Sequence, residues 1–244
     1  TPWHVRDEGI YSLEKGRTFY TSNAGLMELK EEISNYLDRR CNVHYNPKNE
    51  IIVTVGGSEG IDIAMRAMLD PGDEVLIPQP SYVSYEPCCL LAGGKPVIIE
   101  LKAENEFRLT KQELLDAITD KTKLLVLPFP NNPTGAIMEK EDLEAIAEVI
   151  IEKDIFVLSD EIYTELSYKG DHVFITTLSG MKERTIFKSS LFWTSEEEKK
   201  QKEAIKEMLE EDAICNGDDV DFSDERINDR FYDDIGYWYD DEQR

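Results

Sequence analysis

From residue 51 to residue 158, short apolar runs alternate with segments whose apolar side chains recur at helical spacing. Ile51-Ile52-Val53-Thr54-Val55 reads as a β-branched strand closed by Gly56-Gly57, and Ile61, Met65, Met68 and Leu69 then mark one helix face. Asp70-Pro71-Gly72-Asp73 is a turn and Glu74-Val75-Leu76-Ile77-Pro78 a strand, with a helix predicted from Ser81 to Leu91 and ended by Gly93-Gly94. Pro96 to Leu101 gives another strand, and Leu114, Leu115 and Ile118 a short helix face. Leu124-Leu125-Val126-Leu127-Pro128 is a buried strand, followed by the helix stripe Leu143, Ile146, Ala147, Ile150 and Ile151 and the strand Ile155-Phe156-Val157-Leu158. Strands apolar on both sides need helices on both faces, so the pattern specifies an α/β fold around a mainly parallel sheet. Ligands in such sheets sit beyond the carboxyl ends of the strands, and the polar motifs of this chain fall there.

Upstream, Leu26, Leu29, Ile33, Tyr36 and Leu37 form a further helix stripe. Downstream, the character of the chain changes. Residues 195–244 hold 19 acidic and 7 basic side chains, so one fifth of the chain carries half of its net charge of −24. Ser195 reads as an N-cap with Glu196-Glu197-Glu198 at the positive end of a helix, and Ala204, Ile205, Met208 and Leu209 give it a narrow apolar stripe. The charge shift near Thr194 divides the chain into a domain over 1–190 and an acidic, aromatic-containing extension over 191–244, helical or partly disordered.

Charge and composition remove several classes of function. A net charge of −24 would repel nucleic-acid phosphates, and no apolar run approaches the ~18 residues of a membrane span. Cys41, Cys88, Cys89 and Cys215 lack CxxC spacing, and His4, His44 and His172 are scattered, so no zinc site is expected. The cysteines read as reduced and the compartment as cytoplasmic, with Cys88 and Cys89 facing a helix core. Asp219-x-Asp221-x-Ser223 lacks the glycine and final glutamate of an EF-hand loop.

Four motifs carry chemistry. Gly56-Gly57-Ser58-Glu59-Gly60 joins a strand to a helix start, where free backbone N–H groups and the helix dipole suit an anion; the same turn serves equally as a tight connection. Tyr82 in Pro80-Ser81-Tyr82 offers a ring to stack on a flat ligand, or is a core tyrosine. Asn132 in Asn131-Asn132-Pro133-Thr134-Gly135 precedes a proline that forces extended or turn geometry. Asp160 in Ser159-Asp160-Glu161-Ile162-Tyr163 ends a buried strand, where an unpaired carboxylate is costly and a cationic partner is called for.

In this order and spacing the motifs resemble the site of the class I aminotransferases, the fold-type I pyridoxal-phosphate (PLP) enzymes. The resemblance covers about residues 1–186 and implies the large domain of that fold, here incomplete. It implies that backbone amides of Gly57, Ser58 and Glu59 hold the PLP phosphate and that Tyr82 stacks on the ring, a role Tyr85 does not inherit. Asn132 and Tyr163 would contact the phenolic oxygen, and Asp160 would pair with the protonated pyridine nitrogen, keeping the ring an electron sink. Tyr20, within Thr18-Phe19-Tyr20-Thr21-Ser22-Asn23-Ala24-Gly25, would reach the neighbouring subunit's cofactor, implying a homodimer that acts on an amino acid and a 2-oxo acid.

The resemblance stops after Arg184-Thr185-Ile186. The family's lysine lies in Ser-x-x-Lys-x-x-x-x-x-Gly-x-Arg, whereas this chain continues Phe187-Lys188-Ser189-Ser190-Leu191-Phe192-Trp193-Thr194. Lys188 is the nearby candidate, but it arrives several residues too early and lacks the following Gly-x-Arg; Lys199 and Lys200 fall on a charged helix face. The phosphate- and carboxylate-binding arginines of the family have no counterparts, and the sheet would keep an open apolar edge. The expectation is an aminotransferase-family chain with impaired transfer, its PLP held non-covalently at best. The alternative is a non-catalytic interaction protein whose acidic extension contacts a basic partner. Residues 1–186 do not separate an amino transferase from a C–S lyase.

Overall fold

The computed structural model describes residues 3–167 and 172–189. Five strands form one sheet: β1 (Glu74–Gln79), β2 (Lys95–Glu100), β3 (Thr122–Leu127), β4 (Phe156–Asp160) and β5 (Thr185–Lys188). Their order is β2-β1-β3-β4-β5, and every neighbouring pair is parallel. Six helices accompany them: α1 (Trp3–Glu14), α2 (Met27–Cys41), α3 (Gly56–Met68), α4 (Tyr85–Leu91), α5 (Lys111–Ala117) and α6 (Lys140–Lys153).

Strand alternation divides the core in two. Val75, Ile77, Leu124, Val126 and Leu158 point to one face, where they pack with Ile61 and Met65 of α3 and with Tyr85, Cys88 and Cys89 of α4. Leu76, Leu125, Leu127 and Val157 point to the other, against Leu114 of α5 and Leu143, Ile146 and Ile150 of α6. Each fully buried aliphatic side chain contributes about 1.5–3 kcal/mol, so both layers are needed to hide these strands. Local signals set the helix ends. Thr110 Oγ1 accepts the Glu113 N–H at 3.3 Å while Glu113 Oε2 accepts the Thr110 N–H at 3.0 Å, a reciprocal cap that starts α5. A third cluster, Leu37, Cys41, Val43 and Phe174, joins α2 to the sheet edge with Phe187 packed against it.

Three segments differ from the sequence reading. Residues 51–55 form no strand but an extended run into α3, with Val55 91% exposed. Its Val53 N–H bonds to Ala24 O at 3.1 Å, and Gly25 (φ +101°) permits that approach, since a Cβ there would lie 2.6 Å from Val53 Cγ2. β-branched composition cannot make a strand where no ladder partner is adjacent. The helix expected from Ser81 begins only at Tyr85, residues 81–84 being loop and turn. In α2, Ile33, Tyr36 and Leu37 face inward as predicted, whereas Leu26 and Leu29 at its start are exposed. Among the described residues no helix is long and apolar enough to cross a membrane, and no group of three or more His, Cys, Asp or Glu is arranged to hold a metal. The proposed division at 190 and everything expected of the acidic extension lie outside the described residues.

Candidate cofactor site

Register builds the site. β4 and β5 run parallel with Leu158 opposite Ile186, Ser159 opposite Phe187 and Asp160 opposite Lys188. Paired residues in such a ladder share a face, so Asp160 and Lys188 both lie on the α3–α4 side, in line with Leu158 and Ile186. The Asp160 carboxylate is 3% exposed. Lys188 Nζ donates to Oδ1 at 2.9 Å and to Oδ2 at 3.1 Å, and Tyr85 Oη donates to Oδ2 at 2.7 Å. The Ile162 N–H adds a weaker bond to Oδ1 at 3.3 Å. Burial, then the adjacent Asp160 charge, pushes the Tyr85 phenol well above its ordinary range, so it remains a protonated donor.

The start of α3 closes over this pair. A Cβ on Gly57 would lie 2.6 Å from both Cε and Nζ of Lys188, so glycine is required for the ammonium to rest there. Ser58 Oγ and Tyr82 Oη are 3.1 Å apart, and that hydrogen bond lowers the Tyr82 phenol from its ordinary value. The Tyr82 ring stands edge-on to Tyr85, centroids 5.8 Å apart, and is 39% exposed. Glu59 turns its carboxylate back onto the Val55 N–H, which leaves its role at the loop to the backbone.

The Asn131–Gly135 turn divides labour between its two asparagines. Asn131 is buried, its N–H bonds to Ala136 O at 2.9 Å, and its Oδ1 accepts from Thr134 Oγ1 at 3.1 Å. Asn132 is exposed, and its Nδ2 donates to Tyr163 Oη at 3.1 Å. These two polar groups, from the loops after β3 and β4, therefore meet. A cleft of about 330 Å³ lined by Gln79, Tyr82, Glu86 and Pro133, among others, opens beside Tyr82; Asp160 and Lys188 do not line it.

Of the residues expected at the site, Gly57, Asp160 and Lys188 are brought together, Ser58 meets Tyr82, and Asn132 meets Tyr163. Tyr20, expected at a neighbouring subunit's site, is fully exposed, at 104%. Sequence reasoning missed Tyr85, which it considered only for stacking, and the polar cluster on the opposite face of β4. There Ser159 Oγ donates to Glu161 Oε1 at 2.7 Å, and His172 Nε2 lies 2.7 Å from Glu161 Oε2. The His172 ring packs edge-on against Phe174, and the cluster continues toward α2 through Phe174 to Arg40, which pairs with Glu165 at 2.7 Å. The available signal was the second carboxylate at the end of a fully apolar strand.

Comparison with known proteins shows the family. The model of the family "Aminotransferase class I and II" matches residues 1–190. The aminotransferase-class protein YugH of Bacillus subtilis (strain 168) is 49% identical over 186 residues, covering 76% of this chain and 48% of that protein. The aspartate aminotransferase of Pyrococcus abyssi is 44% identical, with 76% and 48% covered. The crystal structure of an aromatic aminotransferase from Pyrococcus horikoshii superposes with a TM-score of 0.76 at 44% identity, covering 78% of this chain and 51% of that one. The chain belongs to the class I and II aminotransferase family. It spans about half the length of the curated relatives it matches.

The donor set fits the cofactor that the family implies. A buried carboxylate suits a cationic ring nitrogen, paired amide and phenol groups suit a phenolic oxygen, and a helix start bearing the Ser58 hydroxyl suits a phosphate. The Asp160 carboxylate holds a cation already, which shows that its surroundings accept positive charge at that point.

Proposed function

We propose that these residues form the cofactor cradle of a PLP-dependent aminotransferase that moves an amino group between an amino acid and a 2-oxo acid. The observation that carries this reading is the buried Asp160 carboxylate, held by Tyr85 and facing a cation against the glycine turn of α3. When bound, PLP supplies an electron sink for a carbanion next to the substrate nitrogen. Asp160 would keep the ring nitrogen cationic, and Tyr85 fixes the orientation of that carboxylate. Asn132 and Tyr163 would share the phenolic oxygen between an N–H and an O–H donor. The N–H groups at the start of α3, with Ser58, would take the phosphate, and Tyr82 would cover one ring face. Tyr20, presented fully to solvent, is proposed to complete the site of a second subunit in a homodimer.

We further propose that this chain alone transfers amino groups poorly. The described lysine that reaches the site, Lys188, is committed to Asp160 rather than free to act as a base. The test is incubation of the full chain with PLP, a range of amino acids and 2-oxoglutarate. The expected result is a bound-cofactor absorbance band without amino transfer above background. Measurable transfer together with a borohydride-fixed PLP adduct on Lys188 would overturn the second proposal, and absence of any PLP binding would overturn the first.

A further inference from the structure

The reading of Asp160 as a ring partner leaves one side chain unexplained. The Lys188 side chain is 10% exposed and pairs with Asp160 at 2.9 Å, where the ring nitrogen would need to be. Its stem passes the first turn of α3, with Cγ 4.0 Å from the position of a Cβ on Gly60, and its tip fills the space over Gly57. Both carboxylate oxygens of Asp160 are engaged, Oδ1 by Lys188 and the Ile162 N–H, Oδ2 by Tyr85 and Lys188.

We propose that Lys188 is a resident counter-ion of Asp160 that holds the ring seat closed, so that a cationic pyridine-type ring bearing a phosphate enters only by displacing its ammonium. The proposal rests on the cofactor reading above. Three features support it. Two cations cannot share one small buried carboxylate without mutual repulsion, so ring and lysine exclude each other. The main chain at Lys188 is pinned, its carbonyl accepting the Glu161 N–H at 2.7 Å, so the strand need not move. The side chain is a flexible four-carbon stem on the last strand of the described sheet, so rotation about its own bonds frees the seat. Apparent ring affinity is then lowered by the fraction of molecules in which the lysine occupies the seat.

Pyridoxine 5′-phosphate is the suitable probe because it carries the ring and the phosphate but no aldehyde, and so forms no covalent link to any lysine. Calorimetric titration of the full 244-residue chain would compare the wild type with Lys188→Met and Lys188→Arg. The expected result is binding tightened about tenfold or more in Lys188→Met, with Lys188→Arg close to wild type. Equal or weaker binding by Lys188→Met, with the wild type still binding, would overturn the counter-ion role and leave the cradle standing. Failure of all three proteins to bind would overturn the cradle and this proposal with it. Should Lys188→Met lose its native circular dichroism, amine acetylation of the wild type decides. Lys188 labelling, measured against exposed Lys95, is expected to rise when the probe is added, and unchanged or reduced labelling would overturn the proposal.

Discussion

Asp160 and Glu161 are neighbours in sequence, both buried at the end of the same strand, and they do opposite things. One residue of offset sends Asp160 to the α3–α4 face and Glu161 to the face of Ser159, His172 and α2. Glu161 is enclosed by groups that belong to the fold: a hydroxyl from its own strand and an imidazole wedged against Phe174. Asp160 has two donors fixed by the fold, the Tyr85 hydroxyl and the Ile162 N–H, and one partner on a flexible stem beside a glycine turn. Burial is thus the same for both, and the proposed distinction between a ligand site and a structural knot rests on the partner, a four-carbon lysine stem for Asp160 and a ring packed on Phe174 for Glu161. Removal of each group in turn sharpens or breaks that distinction.

The largest effect is expected from Asp160→Ala, which removes the buried acceptor shared by Lys188 and Tyr85. Urea denaturation should show a loss of about 3–5 kcal/mol, and the double variant Asp160→Ala/Lys188→Met should recover much of it. No recovery would mean that the pair is not coupled as the distances indicate. Glu161→Gln keeps its shape but replaces a charged acceptor, and should cost about 1–3 kcal/mol with cofactor binding unaltered. A marked loss of PLP binding in that variant would erase the contrast between the two carboxylates. Tyr85→Phe removes a single donor to Asp160 and is expected to cost about 1–2 kcal/mol, read from the same denaturation curves.

The two faces also share a response to alkaline pH. Burial pushes the Cys41 thiol, near Glu161, from an ordinary 9.0 up to about 12, and the Cys89 thiol, on the Asp160 face, up to about 11. Above pH 9 the unfolded chain loses these protons while the folded chain keeps them. Stability is therefore intact below pH 9 and falls as pH rises through the window to 11 for Cys89 and 12 for Cys41, by up to ~1.4 kcal/mol per pH unit for each group. Denaturation midpoints at pH 8, 9 and 10 check this, and Cys89→Ala should flatten part of the slope. A slope unaffected by that change would place the titration elsewhere.

Much of the fold was legible because strands buried on both sides leave long apolar runs, as in Leu124–Leu127, and because α6 carries a full apolar stripe. Ile51–Val55 misled for a physical reason: composition reports the preference of a segment, whereas a strand needs a neighbour to bond. At the site, Asp160 could be singled out from the cost of burying a carboxylate. The importance of Lys188 could not, since linear spacing counts residues along the chain while the β4–β5 register sets Asp160 and Lys188 side by side across 28 residues. Tyr85 was hidden in the same way, because its bond to Asp160 spans 75 residues.

The central claim is that Asp160, and not its neighbour, is the partner of a cofactor ring. Titration of PLP into the full chain, comparing wild type, Asp160→Asn and Glu161→Gln, tests it directly. Affinity is expected to weaken at least about tenfold in Asp160→Asn, the size of one charge-assisted hydrogen bond, and to change less than about twofold in Glu161→Gln. Equal affinities across the three proteins, or a larger loss from Glu161→Gln, would contradict it.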